Sequence, residues 1–248
     1  MKQTTKVVSK FGYDILYLDT VDSTNEYLKR NADKLNKNTV VVARTQTNGK
    51  GRLGRHFQSD DGGLYMSVFL KPHLSPQQSL FITPAAAVAV AKAVENVCKK
   101  QTEIKWVNDV YINSKKVSGI LAESKIDSNG NAREYVVLGI GINLFQQNFA
   151  KEIEDIAANV FDAPPTEEQK DEIIKQILDN LSAYLDGTPF MDEYRSRSNV
   201  IGKEILVIKP TESFLAKALE IDDDASLVGQ TKDGRVEKLC YGEISVRL

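Results

Sequence analysis

Three strand-like runs stand in succession between residues 103 and 143: EIKWVNDVYI, KVSGILAESKI and REYVVLGIGINL. Only turn formers separate them, Asn113-Ser114 and Asp127-Ser128-Asn129-Gly130. Strands joined so tightly pair antiparallel, because a parallel return needs a crossover of roughly a dozen residues or more. An antiparallel meander is therefore the piece around which the rest of the chain must pack.

The remaining segments supply its partners. ILYLDTVDS begins as a short strand and ends in turn chemistry. STNEYLKRNADKL reads as a helix, with Ser23 and Glu26 at capping-box spacing. TVVVAR reads as a buried strand, and GLYMSVFLK as another, ended by Pro72 and Pro76. PAAAVAVAKAVENVCKKQ is predicted as a helix with Thr83 as N-cap and Pro84 at the first helical position. PPTEEQKDEIIKQILDNLSAYLDG is a second long helix, with a Thr166/Gln169 capping box and Gly187 just past its end. After about residue 198 the pattern changes to short strands with no helix between them: VIGKEILVI, FLAKALEI, ASLVGQT, EKLCYG and EISVRL. Asp233-Gly234 is a hairpin signal among them. The prediction is an α+β chain: a larger domain over 1–198 and a small barrel-like one over 199–248.

Charge restricts the function. A net charge of −2 gives no general affinity for nucleic acid, so any anion site must be local. One stretch qualifies, since residues 34–59 hold six Lys/Arg and no Asp/Glu. Cys98 and Cys240 lie far apart, which fits a reducing compartment and no disulfide scaffold. The start MKQTTKVVSKFGYD lacks the apolar segment of a secretory signal, and AAAVAVAKAV is interrupted by Lys92. A cytoplasmic location without membrane contact is expected.

Within the basic stretch lies GKGRLGRH, residues 49–56, which matches G-x-G-x-x-G. A dinucleotide turn needs a helix to start at the third glycine. RHFQSDDGG follows instead, with turn formers and no helical period, so the match is accidental. Glycines still let backbone N–H groups close on an anion, and arginine forks suit phosphate or carboxylate. A solvated basic loop is the plainer alternative, and a nucleic-acid contact a third. In KWVNDVYINSKKVSGILAES, Asn108 and Asp109 interrupt an apolar strand-like run, either to hold a metal–phosphate group or to cap a bulge. Lys116 opens the next strand; read plainly, Lys115-Lys116 is an exposed hairpin end. Gly119 and the glycines of GIGIN at 139–143 allow close approach of a ligand or another chain. VDSTNEY on its own is no more than a helix cap.

Taken together and in order, these segments resemble the biotin protein ligases, also called biotin–acetyl-CoA-carboxylase ligases. The matching pieces are DSTN, Q-x-x-G-[KR]-G-R-x-G-R, KW-x-ND-x-Y, K-[LV]-x-GIL-x-E, G-x-G-x-N and a terminal GEIS-[LV]-R, spread from residue 22 to 247. The resemblance implies a mixed-sheet catalytic domain related to class II tRNA synthetases and lipoate ligases, followed by an SH3-like domain. It implies a two-step reaction. Biotin and ATP give biotinyl-5′-AMP and pyrophosphate, and a lysine of a biotin carboxyl carrier protein then takes the biotinyl group and releases AMP. About 20 residues precede DSTN, so a short form without the family's DNA-binding repressor domain is expected. A homodimer is common in the family.

Residue roles follow from the same likeness. Ser23, Thr24, Asn25, Gln46, Lys50, Gly51, Arg52, Lys116, Gly119 and Leu121 match biotin-contacting positions. Lys116 matches the lysine that bridges biotin's carboxylate and the α-phosphate, and Arg52 the loop arginine; these two are the catalytic candidates. Arg55, Trp106, Asn108, Asp109, Asn143, Glu243 and Arg247 match the nucleotide site with Arg52, and Asp109 is the candidate ligand of Mg²⁺. Three positions depart from the commoner pattern. Val107 replaces a proline and is expected to alter strand geometry little; Lys50 replaces an arginine; Phe57 replaces a tryptophan. Rival readings are a lipoate–protein ligase of the same fold, a nicotinamide-dependent oxidoreductase and a non-catalytic repressor.

Overall fold

The computed structural model describes residues 11–35, 38–71, 79–126, 133–209, 212–240 and 243–246. Two sheets organise it. The larger has seven strands in the order β1-β2-β3-β7-β6-β5-β4. These are β1 (Asp14–Val21), β2 (Thr39–Gln46), β3 (Gly63–Leu70), β4 (Glu103–Lys105), β5 (Asp109–Ile112), β6 (Lys115–Ile126) and β7 (Arg133–Asn143). Only β1 and β2 run parallel, with α1 (Thr24–Arg30) in the connection between them. Strands β4 to β7 form the expected meander. The β5–β6 turn carries positive φ at Asn113 and Ser114, 49° and 62°, the pair that a two-residue hairpin of matching twist requires. The turn expected at 127–130 lies outside the described residues.

Strand periodicity divides this sheet between two cores. On one face Val40, Val42, Leu64, Met66, Val68, Val136, Leu138, Ile140 and Ile142 pack against α2 (Ile82–Cys98) and α3 (Glu167–Leu185). Helix α2 is buried almost all round, and its run of alanines lets it lie between the sheet and α3. On the other face Val41, Phe69, Tyr135 and Val137 meet Leu28 and Ala32 of the α1 region. The α1 helix covers only part of that face. The uncovered end, where β6 and β7 bring Gly119 opposite Gly141 and Leu121 opposite Gly139, is left concave.

The C-terminal strands form a five-stranded antiparallel sheet, β11-β10-β9-β8-β12, as expected for an SH3-like domain. They are β8 (Glu204–Ile208), β9 (Ser213–Ile221), β10 (Leu227–Thr231), β11 (Val236–Leu239) and β12 (Glu243–Val246). Asp233-Gly234 makes the β10–β11 turn, with Gly234 at φ 88°. The short helix α4 (Met191–Ser196) leads into this unit. Buried Ile205, Val207, Ala218 and Leu227 join the same apolar cluster as α2 and α3. No described helix is long and apolar enough to cross a membrane.

Several boundaries differ from the sequence expectation. Helix α2 starts at Ile82 with Phe81 as N-cap, so Thr83 and Pro84 fall inside the first turn. Pro84 is still tolerated there, because a first-turn N–H has no helical partner. Helix α1 stops at Arg30 and continues only as a 3₁₀ turn, Ala32–Lys34. Its N-cap is Ser23, but the Ser23 side chain makes no capping bond. The α3 capping box forms as read, Thr166 with Gln169, and Gly187 follows at φ 103°. The run EIKWVNDVYI is not one strand: residues 106–108 turn between β4 and β5, and the Trp106–Val107 peptide is cis. Val107 therefore sits in a hairpin turn instead of a strand.

Candidate active site

A cavity of about 320 Å³ opens on the uncovered end of the α1 face. Every predicted site residue from Ser23 to Asn143 lines it. Glu243 is described only as backbone of β12, and Arg247 lies outside the described residues.

Neutral hydrogen-bonding groups form one end. Ser23, Thr24 and Asn25 are all buried at the start of α1. Gln46 Oε1 accepts from the Thr24 N–H at 2.8 Å, and its amide donates to Ser59 Oγ at 2.8 Å. Ser67 Oγ lies 2.6 Å from Asn25 Oδ1 and 2.7 Å from Thr24 Oγ1. Asn25 Nδ2 donates to Glu123 Oε2 at 2.8 Å, which fixes which way its amide faces. Glycine is required beneath this set. A Cβ on Gly139 would collide with Asn25 Oδ1, and one on Gly141 would stand 2.5 Å from the Phe57 ring.

The other end is cationic. Lys50, Arg52, Arg55, Lys105 and Lys116 line the cavity, against a single carboxylate among the described residues, Asp109. The cavity is thus strongly positive in a chain whose net charge is −2. Arg52 Nη1 donates to Asn108 Oδ1 at 2.9 Å, Asn108 Nδ2 donates to Asp109 Oδ1 at 3.0 Å, and Lys116 Nζ lies 2.8 Å from the same oxygen. Asn108 also donates to the Ile120 carbonyl at 3.0 Å, so the pair is fixed to β6. Tyr111, on the same strand as Asp109, has its hydroxyl pushed up to about 12, first by burial and then by the Asp109 charge.

Bonds from distant elements hold this cluster. Tyr194 of α4 is fully buried, and its hydroxyl donates to the Val107 carbonyl at 3.0 Å. Burial raises the Tyr194 pKa, so the hydroxyl stays a donor. Trp106 Nε1 donates to the Ala225 carbonyl of the C-terminal unit at 2.9 Å. Lys116 is gripped by its backbone: its N–H donates to Ile156 O at 2.7 Å, and its carbonyl accepts from Ala158 N–H at 2.9 Å. Asn143 donates to the Ala158 carbonyl at 3.2 Å and accepts from Gln146 at 3.0 Å, so it orders the same segment.

The loop 49–56 folds as a small tongue. Gly51 N–H donates to Arg55 O at 2.8 Å, and Phe57 N–H to Gly49 O at 2.9 Å. Leu53 and Gly54 have φ of 55° and 75°, and only a 3₁₀ turn spans Arg52–Gly54. No helix begins at Gly54, which removes the dinucleotide turn and with it the oxidoreductase reading. Lys50 Nζ donates to Glu26 Oε1 at 2.7 Å.

Sequence reasoning missed Ser67, Glu123 as a partner of Asn25, and the whole rim of Phe149, Ile153, Ile156 and Ala157. The rim had one signal: large apolar side chains in an otherwise acidic, irregular run. Ile156 is 59% exposed beside the cavity.

Known proteins resemble this chain in sequence and in fold. Residues 17–143 match the Biotin/lipoate A/B protein ligase family. The bifunctional ligase/repressor BirA of Bacillus spizizenii is 34% identical over 95% of this chain and 74% of its own. The biotin–[acetyl-CoA-carboxylase] ligase of Mycobacterium tuberculosis is 30% identical over 76% of this chain and 71% of its own. Among solved structures, the biotin protein ligase of Aquifex aeolicus in complex with biotin and ATP superposes with a TM-score of 0.78 at 29% identity, covering 94% of this chain and 98% of that one. The glycine-floored cavity, its cationic end and these likenesses agree, and the chain belongs to the biotin/lipoate A/B protein ligase family.

Proposed function

We propose that this chain is an ATP-dependent biotin–protein ligase, forming biotinyl-5′-AMP and passing the biotinyl group to a lysine of a biotin carboxyl carrier protein. One observation carries the reading: a single cavity joins a neutral hydrogen-bonding end to a cationic end, and Lys116 lines it together with both. A small acid with a polar, uncharged head and a nucleoside triphosphate need those two environments side by side.

The first step must bring two anions into contact. A carboxylate oxygen attacks the α-phosphorus, and pyrophosphate leaves with the electron pair of the broken P–O bond. Lys116 and Arg52 lower the repulsion and stabilise charge on the phosphoryl oxygens. Asp109 and Asn108 hold those two cations in place before substrate arrives. In the second step the carrier lysine's neutral amine attacks the acyl carbon, the C–O bond to AMP breaks, and the amine loses its proton. The 49–56 loop limits water's access to the mixed anhydride meanwhile.

Mg²⁺ fits the residues present. It is commonly held by one or two carboxylates together with substrate phosphates, and among the described residues Asp109 is the one carboxylate lining the cavity. Asp109 would hold the ion, which would neutralise charge on the triphosphate. We assign residues 1–198 to the catalytic domain, 199–248 to the C-terminal one, and the reaction to the cytoplasm.

Pyrophosphate exchange into ATP, measured with Mg²⁺ and either biotin or lipoate, tests the reading. Biotin is expected to support exchange. Exchange with lipoate and none with biotin would replace this function by lipoate–protein ligation.

A further inference from the structure

Lys50 stands where this family usually has arginine, and the side chain that meets it is on α1. Its ammonium bonds to Glu26 Oε1 at 2.7 Å. Glu26 does not line the cavity. Glu26 is also paired with Lys29 at 2.9 Å, Lys29 with Glu123 at 2.5 Å, and Glu123 with the Asn25 amide at 2.8 Å. Charges thus alternate in an unbroken row from the loop to the cavity floor. The hydrogen bonds inside the tongue, Gly51 to Arg55 and Phe57 to Gly49, set its shape but not its placement. Among the side-chain bonds that reach outward to the walls are Arg52 to Asn108 and Lys50 to Glu26. Arg52 and its partner Asn108 both line the cavity, whereas Glu26 stands outside it, so the Lys50–Glu26 bond ties the loop to a point beyond the ligand's reach.

We infer that Glu26 is a positioning residue that acts through Lys50 to hold the 49–56 loop over the cavity, and so sets how long the acyl-adenylate is retained. The inference rests on the biotin-activating function proposed above. A lysine suits the task, because a point charge keeps its bond through small hinge movements that would misalign an arginine fork. Both partners are partly exposed, which limits the effect to about two- to fivefold in the opening equilibrium. A loop that must open every cycle is governed by effects of that size.

Two measurements test it. First, trypsin cleavage after Arg52 and Arg55 is followed by mass spectrometry in the ligand-free protein. Second, biotinyl-AMP is formed from biotin and labelled ATP, and its release is timed after dilution. Glu26→Gln and Lys50→Gln should each speed both processes about two- to fivefold. The double variant should be no faster than either single one. Rates equal to wild type in E26Q, or single effects that multiply in the double variant, would overturn the inference. Lys50→Gln leaves α1 intact, so loosening seen with E26Q alone and accompanied by a lower melting temperature would also overturn it. A wild-type protein that forms no adenylate would overturn the proposed function, while the cleavage rates still decide whether Glu26 holds the loop.

Discussion

Lys116 carries the strongest single-residue expectation. Its ammonium is held 2.8 Å from Asp109 at the cationic end, and its side chain is partly exposed, so the fold does not depend on it. Lys116→Ala should lower biotin-dependent pyrophosphate exchange by about a hundredfold or more, the usual cost of removing an aimed charge-stabilising group. A thermal melt should stay close to wild type; exchange within tenfold of wild type would remove Lys116 from the reaction. Residues of this kind were legible through the family resemblance: read plainly, Lys115-Lys116 was only an exposed hairpin end, and the matching motif singled out Lys116. Ser67 and Glu123 were not. Ser67 is an ordinary strand residue in the sequence, and Glu123, though it closes the K-[LV]-x-GIL-x-E motif, has no role there; each acquires its role from Asn25, which lies 42 and 98 positions away. Ser23 shows the converse. Its spacing to Glu26 spells a capping box, yet its hydroxyl caps nothing and the residue lines the cavity instead.

Among elements, the 106–108 turn departs most from expectation. EIKWVNDVYI alternates well enough for a strand, and the one local sign of a break, Asn108-Asp109, reads equally as a ligand site or a bulge cap. What fixes the turn is tertiary: Tyr194 bonded to the Val107 carbonyl, and Trp106 bonded to Ala225. Tyr194→Phe leaves the Val107 carbonyl without that partner and should cost about 1–3 kcal/mol of stability. Because the turn leads directly into Asn108 and Asp109, the KM for ATP should rise while biotin binding is unchanged. Titration calorimetry with biotin beside exchange kinetics in ATP separates the two; equal losses in both would show a general loosening of the fold. Elsewhere the elements were readable wherever local chemistry set them. The Thr166–Gln169 box and the Asn113-Ser114 turn formed as read, because capping and hairpin geometry depend on residues within a few positions. The start of α2 slipped because packing, not capping, determines where that helix begins.

Across the molecule, Arg197 ties three segments together. Its guanidinium takes Glu95 of α2 at 2.6 and 2.9 Å, Glu193 of α4 at 2.8 Å, and the Thr102 hydroxyl before β4 at 3.1 Å. Burial pushes the Glu95 carboxyl up, but its bonds to Arg197 and to the Thr102 N–H pull harder, so it titrates below the ordinary carboxylate range. A depressed folded pKa stabilises above the unfolded value and is lost as pH falls through the folded one. Glu95→Gln should therefore lower the melting temperature at neutral pH and narrow the gap to wild type as the solution is acidified below the carboxylate range. Melting curves from pH 7 to about pH 3 check this, and a gap independent of pH would assign the loss to packing alone. The sequence announced two regions by its change of pattern near residue 198, but not that one apolar cluster runs through both, since that continuity depends on faces meeting in space.

Trp106 is the only tryptophan in the chain. It is buried, it lines the cavity beside Asn108, and its indole N–H is bonded to the carbonyl of Ala225. All the intrinsic indole emission of the protein thus comes from one ring, placed between the cationic end of the cavity and the C-terminal unit. Its colour and intensity report on whether that sheet is seated, and quenching on addition of ATP reads the neighbouring cavity through the same chromophore. A single fluorescence trace can follow both events with no label attached.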